Sequence, residues 1–276
     1  MRKPRIIDFQ QNPAVGAAEE YLYLLMEGLN KAKFDAAFLC PESAVLNSLV
    51  TRIESLGVKA HRYPIHTSNY KIILYLKSFF RRSNPDLVHF NDPCLNGIIA
   101  ARLAGVPVLV MTHHTPEHNR KYNLRGRILE KIAFQYCRPY FIFTSEHDRE
   151  TGMKKDKIPE DRSSVVYHGL PPERFSKKLE GLCFAVIEAS AMGIPVVATA
   201  VGGMRRSVAD GTTGLLIPPH NPQALANAIL WMLKHPQEAK EMGLAGQKHF
   251  TELFTQDRMV KTTEGLYESL LRTVLC

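Results

Sequence analysis

Long apolar runs are absent from this 276-residue chain. Without a stretch of about 18 apolar residues, no membrane-spanning helix is expected. The opening segment MRKPRIIDFQQNPAVG is basic but lacks an extended apolar core and a small-residue cleavage site. A secretory leader is therefore not expected. Cysteine is scarce: Cys40, Cys94, Cys137, Cys183 and Cys276 form an odd set with no close pair. That spacing fits neither a disulfide framework nor a zinc site, and reduced thiols in a cytoplasmic protein are the simpler account. The 11 histidines show no metal-ligand spacing, so no metal is expected. Acidic side chains are the minority charge, 27 against 35 Lys and Arg, which leaves a net +8. There is no arginine-rich arm, zinc-finger spacing or RNA-binding aromatic signature, so nucleic acid is not an expected partner. The basic excess is densest at Arg81-Arg82 and from His118 to Arg127. Such a face suits phosphate-bearing ligands or anionic lipid headgroups, or is simply solvated; a peripheral contact with an anionic membrane stays open.

What is present is ordinary globular material, 45% apolar and 22% charged, enough for about two domains. In the first half, short apolar runs alternate with amphipathic stretches. RIIDF, FDAAFLC, VKAHRYPI, DLVHF, PVLVM, YFIFT and Val165 to Tyr167 read as strands. Between them, Ala17 to Asn30, the segment around Leu46 to Ile53, Tyr70 to Phe80, Asn96 to Ala104 and the basic stretch Leu124 to Cys137 read as helices. Strands alternating with helices predict βαβ units and a Rossmann-like, doubly wound parallel sheet over residues 1–170. Ligands of such sheets bind at the carboxyl ends of the strands. Gly16 in the loop before the first helix, Asn91 after DLVHF, and Thr112, His113 and His114 after PVLVM therefore converge on one rim. So do Ser145 and Glu146 after YFIFT. A glycine at position 16 lets a sugar or phosphate approach the backbone and the helix N-terminus, or serves the turn itself.

The second half, 171–276, opens on a pair of prolines and carries EGLCFAVIEASAMGIPVVATAVGG at residues 180–203. Glu180 and Gly181 read as loop, and Phe184 to Met192 as a short helix. The amides of Leu182, Cys183 and Phe184 then lie at its N-terminus, facing whatever anion binds there. Glu188 stands on that helix, eight positions after Glu180; carboxylates in such places accept hydrogen bonds from sugar or ribose hydroxyls.

This segment resembles the retaining glycosyltransferases of family 4, with a two-domain GT-B fold. Glu180 and Glu188 match the family's E-x7-E motif. GIPVVAT, Gly202-Gly203 and DGTTGLLIPPHNPQALANAI at 210–229 continue the match in register, and Gly16, His89 in DLVHF, His114 in THHT and VVYHGLPPERF extend it through the first half. The resemblance implies a nucleotide-diphosphate sugar donor held by the second domain, with no cofactor. It implies a glycan or lipid-linked acceptor on the first domain, with reaction in the cleft. It places Glu180 at the donor-sugar hydroxyls, Glu188 at the ribose and His114 near the transferred sugar. Gly16, His89 and Asn91 then lie on the acceptor side or in a phosphate loop. The implied location is cytoplasmic, or peripheral at a membrane.

The sequence departs from the family's pattern at His168, Pro171 and Arg206, and by an absence. Only Ser176 to Leu179 separate Phe175 from Glu180, where the resemblance implies the opening strands of the donor domain. A βαβ unit takes about 30 residues or more, and only PVVAT and LLIP read as strands after residue 171. The expectation is a truncated second Rossmann-like domain. A catalytically silent relative that acts by binding is the alternative, and apolar surface bared there would favour a homo-oligomer or another partner.

Overall fold

The computed structural model describes residues 2–13, 16–65, 68–114, 124–171, 182–201 and 204–275. They form two compact units. The first comprises Met1–Thr144, Arg149–Val166 and Val260–Cys276; the second comprises Ser145–Asp148 and Tyr167–Met259.

The first unit is built on seven parallel strands. They are β1 (Arg5–Phe9), β2 (Asp35–Pro41), β3 (Lys59–Tyr63), β4 (Leu87–Phe90), β5 (Val108–His113), β6 (Tyr140–Phe143) and β7 (Ser163–Val165). Their order, β3-β2-β1-β4-β5-β6-β7, is that of a doubly wound sheet. Helices α1 (Ala17–Gly28), α2 (Asn47–Ser55), α3 (Asn69–Ser83), α4 (Leu95–Ala104), α5 (Leu124–Cys137) and α6 (Glu146–Asp156) connect the strands. Every residue of β4 and β5 is buried, as expected of central strands covered on both faces.

Alternation along the strands sorts the core into two layers. Ile7, Phe9, Val88, Phe90, Leu109, Met111, Phe141 and Phe143 face one side and pack with Leu76 and Phe80 of α3 and Ile98 and Ala101 of α4. Phe38 and Cys40 face the other side and pack with Leu22 and Met26 of α1 and Leu49 and Ile53 of α2. Left-handed residues directly follow several of the helices: Asn84, with φ 46°, after α3, Gly105, with φ 87°, after α4, Arg138 after α5 and Lys157 after α6.

Three details differ from the sequence reading. First, β5 runs on to His113, because its ladder with β6 pairs Thr112 with Ile142 and His113 with Phe143. Thr112 and His113 are thus buried strand residues rather than loop residues. Second, the last strand is Ser163–Val165, two positions earlier than expected, paired with Phe141 to Phe143. Third, Ser145 caps α6: its hydroxyl accepts from the Asp148 amide at 3.1 Å and donates to the Asp148 carboxylate at 2.6 Å.

The second unit holds α7 (Leu182–Ala191), β8 (Val196–Thr199), α8 (Met204–Ser207), β9 (Gly214–Ile217), α9 (Pro222–Lys234) and α10 (Pro236–Leu253). Among the described residues, its sheet is β8 and β9 alone, parallel. Helix α10 packs closely on the end of α7: a Cβ on Gly243 would overlap the Gly193 carbonyl, so only glycine fits there. Asn221 starts α9 by accepting from the Ala224 amide at 2.9 Å, with Pro222 in the first turn.

The final helix, α11 (Gln256–Leu275), begins in the second unit and continues in the first. This corrects the linear division at residue 170, which places residues 260–276 with the second domain. The reason is packing on α1 and the sheet. Tyr267 is completely buried there. The Asn30 amide donates to Glu264 at 2.5 Å, and Lys33 pairs with Glu268 at 2.8 Å. A Cβ on Gly28 would come within 2.5 Å of Val260, so glycine at the end of α1 makes room for this helix.

Candidate functional site

The carboxyl ends of β1, β4 and β5 bring together part of what the sequence singled out. Parallel register places Phe9 beside Phe90 and Phe90 beside Met111, so the residues that follow them share one rim. Asn91 continues the β4 ladder by donating its amide to Phe9 at 3.0 Å. Its side chain is fully buried, and neither amide atom meets a hydrogen-bond partner among the described residues. A buried amide without a partner is a strong candidate for a ligand contact.

Gly16 forms the N-cap of α1 with an extended φ of −172°. Among the described residues, a Cβ added there would touch only Glu19, at 3.7 Å. Neither backbone strain nor crowding by the described residues demands glycine at this position. The first turn of α1 carries Glu19 and Glu20. Glu19 is buried and accepts from the Gln10 amide at 2.7 Å; burial raises its carboxyl above the ordinary value. Glu20 pairs with Arg52 at 3.1 Å. Two carboxylates at a helix N-terminus complement the helix dipole themselves and oppose a phosphate. Sequence reasoning did not single out Glu19 or Gln10, since neither belongs to a motif; only burial marks them.

His114 is half-buried just beyond β5. Its imidazole meets the ring of Tyr21 of α1 edge-on, with centroids 4.9 Å apart and planes at 67°. Its neighbour His113 points the other way, against Phe141 and Phe143.

His89 is not on the rim. It lies inside β4, fully buried, on the face where Asp8 is its register partner. Its Nδ1 is 2.6 Å from the Tyr267 hydroxyl and 3.1 Å from an Asp8 carboxylate oxygen, and its Nε2 is 2.6 Å from the Thr112 hydroxyl. The expectation of an acceptor-side or phosphate-loop residue is corrected here: strand alternation turns this side chain under α11, and its ring nitrogens are taken up by the core.

On the second unit, Glu180 and Gly181 lie outside the described residues. So do the side chains of Leu182, Cys183 and Phe184, although their backbone forms the first turn of α7. Glu188 is half-buried on that helix, and burial raises its carboxyl above the ordinary value. The unit also holds the three positions that depart from the family pattern, His168, Pro171 and Arg206. Arg206 stacks its guanidinium 5.4 Å from the centre of the Tyr167 ring, and its carbonyl accepts from His249 at 2.9 Å. His168 is half-buried, and desolvation pushes its imidazole down to about 4. Among the described residues, no group of three or more His, Cys, Asp or Glu side chains could hold a metal ion. No described helix is long and apolar enough to cross a membrane.

Two family models match the chain in succession: Glycosyltransferase Family 4 over residues 16–174 and Glycosyl transferases group 1 over residues 170–249. Among curated proteins, a D-inositol 3-phosphate glycosyltransferase of Streptomyces bingchenggensis is 36% identical over 93 residues, 34% of this chain and 20% of the relative. A D-rhamnosyltransferase of Pseudomonas aeruginosa is 34% identical over 77 residues, 28% of this chain and 20% of the relative. The matched stretches thus span only about a fifth of these relatives. Among solved structures, HepE of Anabaena in complex with UDP superimposes with a TM-score of 0.80 at 14% identity, covering 96% of this chain and 100% of that one. A glycosyltransferase of Rickettsia africae gives 0.82 at 13% identity, covering 98% and 99%. At such identities the likeness concerns the fold, which is GT-B.

Proposed function

Because the chain belongs to glycosyltransferase family 4, we propose that it transfers a sugar from a nucleotide-diphosphate donor to an acceptor hydroxyl, with retention of configuration. The observation that carries this reading is the match of both family models in order along one chain, 16–174 and then 170–249. The E-x7-E motif falls within the second match. UDP in the Anabaena neighbour supports a nucleotide-sugar donor.

In this reading the amides opening α7 face the donor diphosphate, where the helix dipole favours negative charge. Glu188 accepts from the ribose hydroxyls and Glu180 from those of the donor sugar, since carboxylates accept strongly from hydroxyl groups. On the first unit, His114 lies against the transferred sugar. Gly16 leaves the backbone open, and the orphaned amide of Asn91 supplies a donor and an acceptor to a bound molecule. The acidic first turn of α1 favours the acceptor-side reading of Gly16 over the phosphate-loop reading, since Glu19 and Glu20 suit hydroxyls and repel phosphate. The acceptor is a glycan or a lipid-linked saccharide. For the latter, contact with an anionic membrane would come through the basic stretch that leads into α5. Leu129, Ile132 and Tyr136 are exposed at helical spacing on that helix.

Calorimetric titration with UDP- and GDP-sugars tests the donor reading. Binding is expected, weakened at least tenfold by Glu188→Gln, and His114→Ala is expected to lower turnover by about 100-fold or more. A folded protein that binds none of these donors would overturn it. A second reading, a catalytically silent member acting by binding, draws on the two-stranded sheet of the second unit. It predicts that same silence in the titration together with a dimeric or larger mass in solution.

A further inference from the structure

The opposite end of the first sheet carries a group of charges that sugar transfer does not explain. Arg5, Asp35 and Lys59 are the first residues of β1, β2 and β3, so the parallel strands bring them to one amino-terminal edge. The five residues of β1 rise about 15 Å, which separates this edge from the rim. Two cavities open here, of about 380 and 310 Å³, and Arg5, Asp35 and Ala36 line both. The first adds Arg2, Lys3 and Lys31, and the second adds Lys59 and His61. Both arginines are neutralised in place. Arg2 holds Asp86 through two hydrogen bonds, at 2.8 and 2.7 Å, and Arg5 pairs with Asp35 at 3.0 Å. The lysines keep their charge: Lys3 donates to the Lys31 carbonyl at 2.8 Å, and Lys31 donates to the Leu56 carbonyl just after α2. Among the described residues, no carboxylate pairs with Lys3, Lys31 or Lys59.

We propose that these two cavities form a second ligand site, which takes a soluble anion bearing two or more linked phosphate groups. The site stands whether or not the chain transfers a sugar. An ammonium carries three donors; a carbonyl takes one from Lys3 and one from Lys31, which leaves two on each. Capping a carbonyl at the end of α2 explains where Lys31 sits, but a carbonyl does not balance its charge. Concave walls focus the field of such charges on an anion between them. His61 registers that field: burial, and then the Lys59 charge, hold its imidazole below the ordinary value. Lys3 and Lys31 belong to one cavity, Lys59 to the other and Arg5 to both, an arrangement that suits linked phosphates better than a single one. The Arg5–Asp35 pair is about half exposed, 42% and 54%, so a phosphate can replace Asp35 on the guanidinium at small cost.

The test is calorimetric titration of the full chain with inorganic tripolyphosphate, alongside melting temperature and amide hydrogen exchange. Binding is expected, weakened about tenfold or more when Lys3→Gln and Lys31→Gln are combined. Asp35→Asn, which removes the competing carboxylate, should strengthen it about threefold. Lys240→Gln combined with Lys248→Gln removes the same charge from exposed positions of α10 and should leave affinity within about twofold. Bound tripolyphosphate should slow exchange at residues 31–36 and 57–61. Equal affinity in the native chain and the folded Lys3→Gln, Lys31→Gln variant would overturn the proposal, as would no binding by the native chain. If that variant does not fold, Asp35→Asn and the exchange pattern decide. Slowed exchange at the start of α7 and none at the sheet edge would move the anion to the donor side and also overturn it. Retention on vesicles of phosphatidylcholine and phosphatidic acid, with no binding of tripolyphosphate, would overturn it in favour of a lipid headgroup.

Discussion

The two sheets of this protein carry equally clear local signals and have unequal surroundings. In the first unit, seven parallel strands are covered on both faces, and β4 and β5 are buried at every position. In the second, β8 pairs only with β9 among the described residues, and every residue of β8 retains some exposure. Helix α9 shows the consequence. It is capped, begins with proline and is rich in apolar residues, yet none of its side chains is buried; Leu225, Ile229, Leu230 and Leu233 stand exposed. A parallel strand gains stability from neighbours on either side and from helices over both faces. Local sequence can specify the strand and the helix without supplying those neighbours.

The largest effect that sharpens this contrast is a truncation in the first core. Phe90 is fully buried and packs against Phe9 with centroids 5.3 Å apart. Phe90→Ala should cost roughly 3–5 kcal/mol in denaturant unfolding. A loss below about 1 kcal/mol would mean that the seven-stranded unit is far looser than its packing. An intermediate effect belongs to the second unit and to pH. The His168 imidazole sits near pKa 4 when folded, against an ordinary 6.5. Between those values the unfolded chain binds more protons, so this contribution is complete above about pH 6.5 and is lost as pH falls towards 4. Allowing for its partial exposure, the loss is on the order of 2 kcal/mol and should vanish in His168→Asn. An acid transition identical in the two proteins would refute it. The smallest effect is expected at Leu233, which is 73% exposed: Leu233→Gln should change stability by no more than about 0.5 kcal/mol. Destabilisation as large as that of a core truncation would show that the apolar face of α9 is covered in solution, and the contrast between the two units would break.

Much of this was legible in advance for identifiable reasons. Alternation of apolar runs and amphipathic stretches predicts all seven strands of the first sheet, because buried parallel strands are short and apolar. Helix α6 escapes that reading, since EHDRETGMKKD has no apolar stripe and buries only Gly152. The rim was legible at Gly16, Asn91 and His114, which follow the strand ends. It was misread at Thr112 and His113, where pairing with β6 extends the strand, and at His89. From sequence alone, a histidine in DLVHF is equally a ligand contact and a core residue. The partner that decides between them, Tyr267, lies 178 positions away.

By itself, then, the sequence determined the local matters: the parallel α/β elements, the family, the E-x7-E spacing and the shortness of the stretch between Phe175 and Glu180. Each follows from residue types at short separations, where helix and strand periods act. Only the tertiary structure decided that α11 returns to the first unit, that His89 belongs to its core, and that Glu19, Gln10 and Tyr21 stand behind the rim. Those outcomes depend on which distant groups share a face and satisfy one another away from water, and no local pattern encodes that.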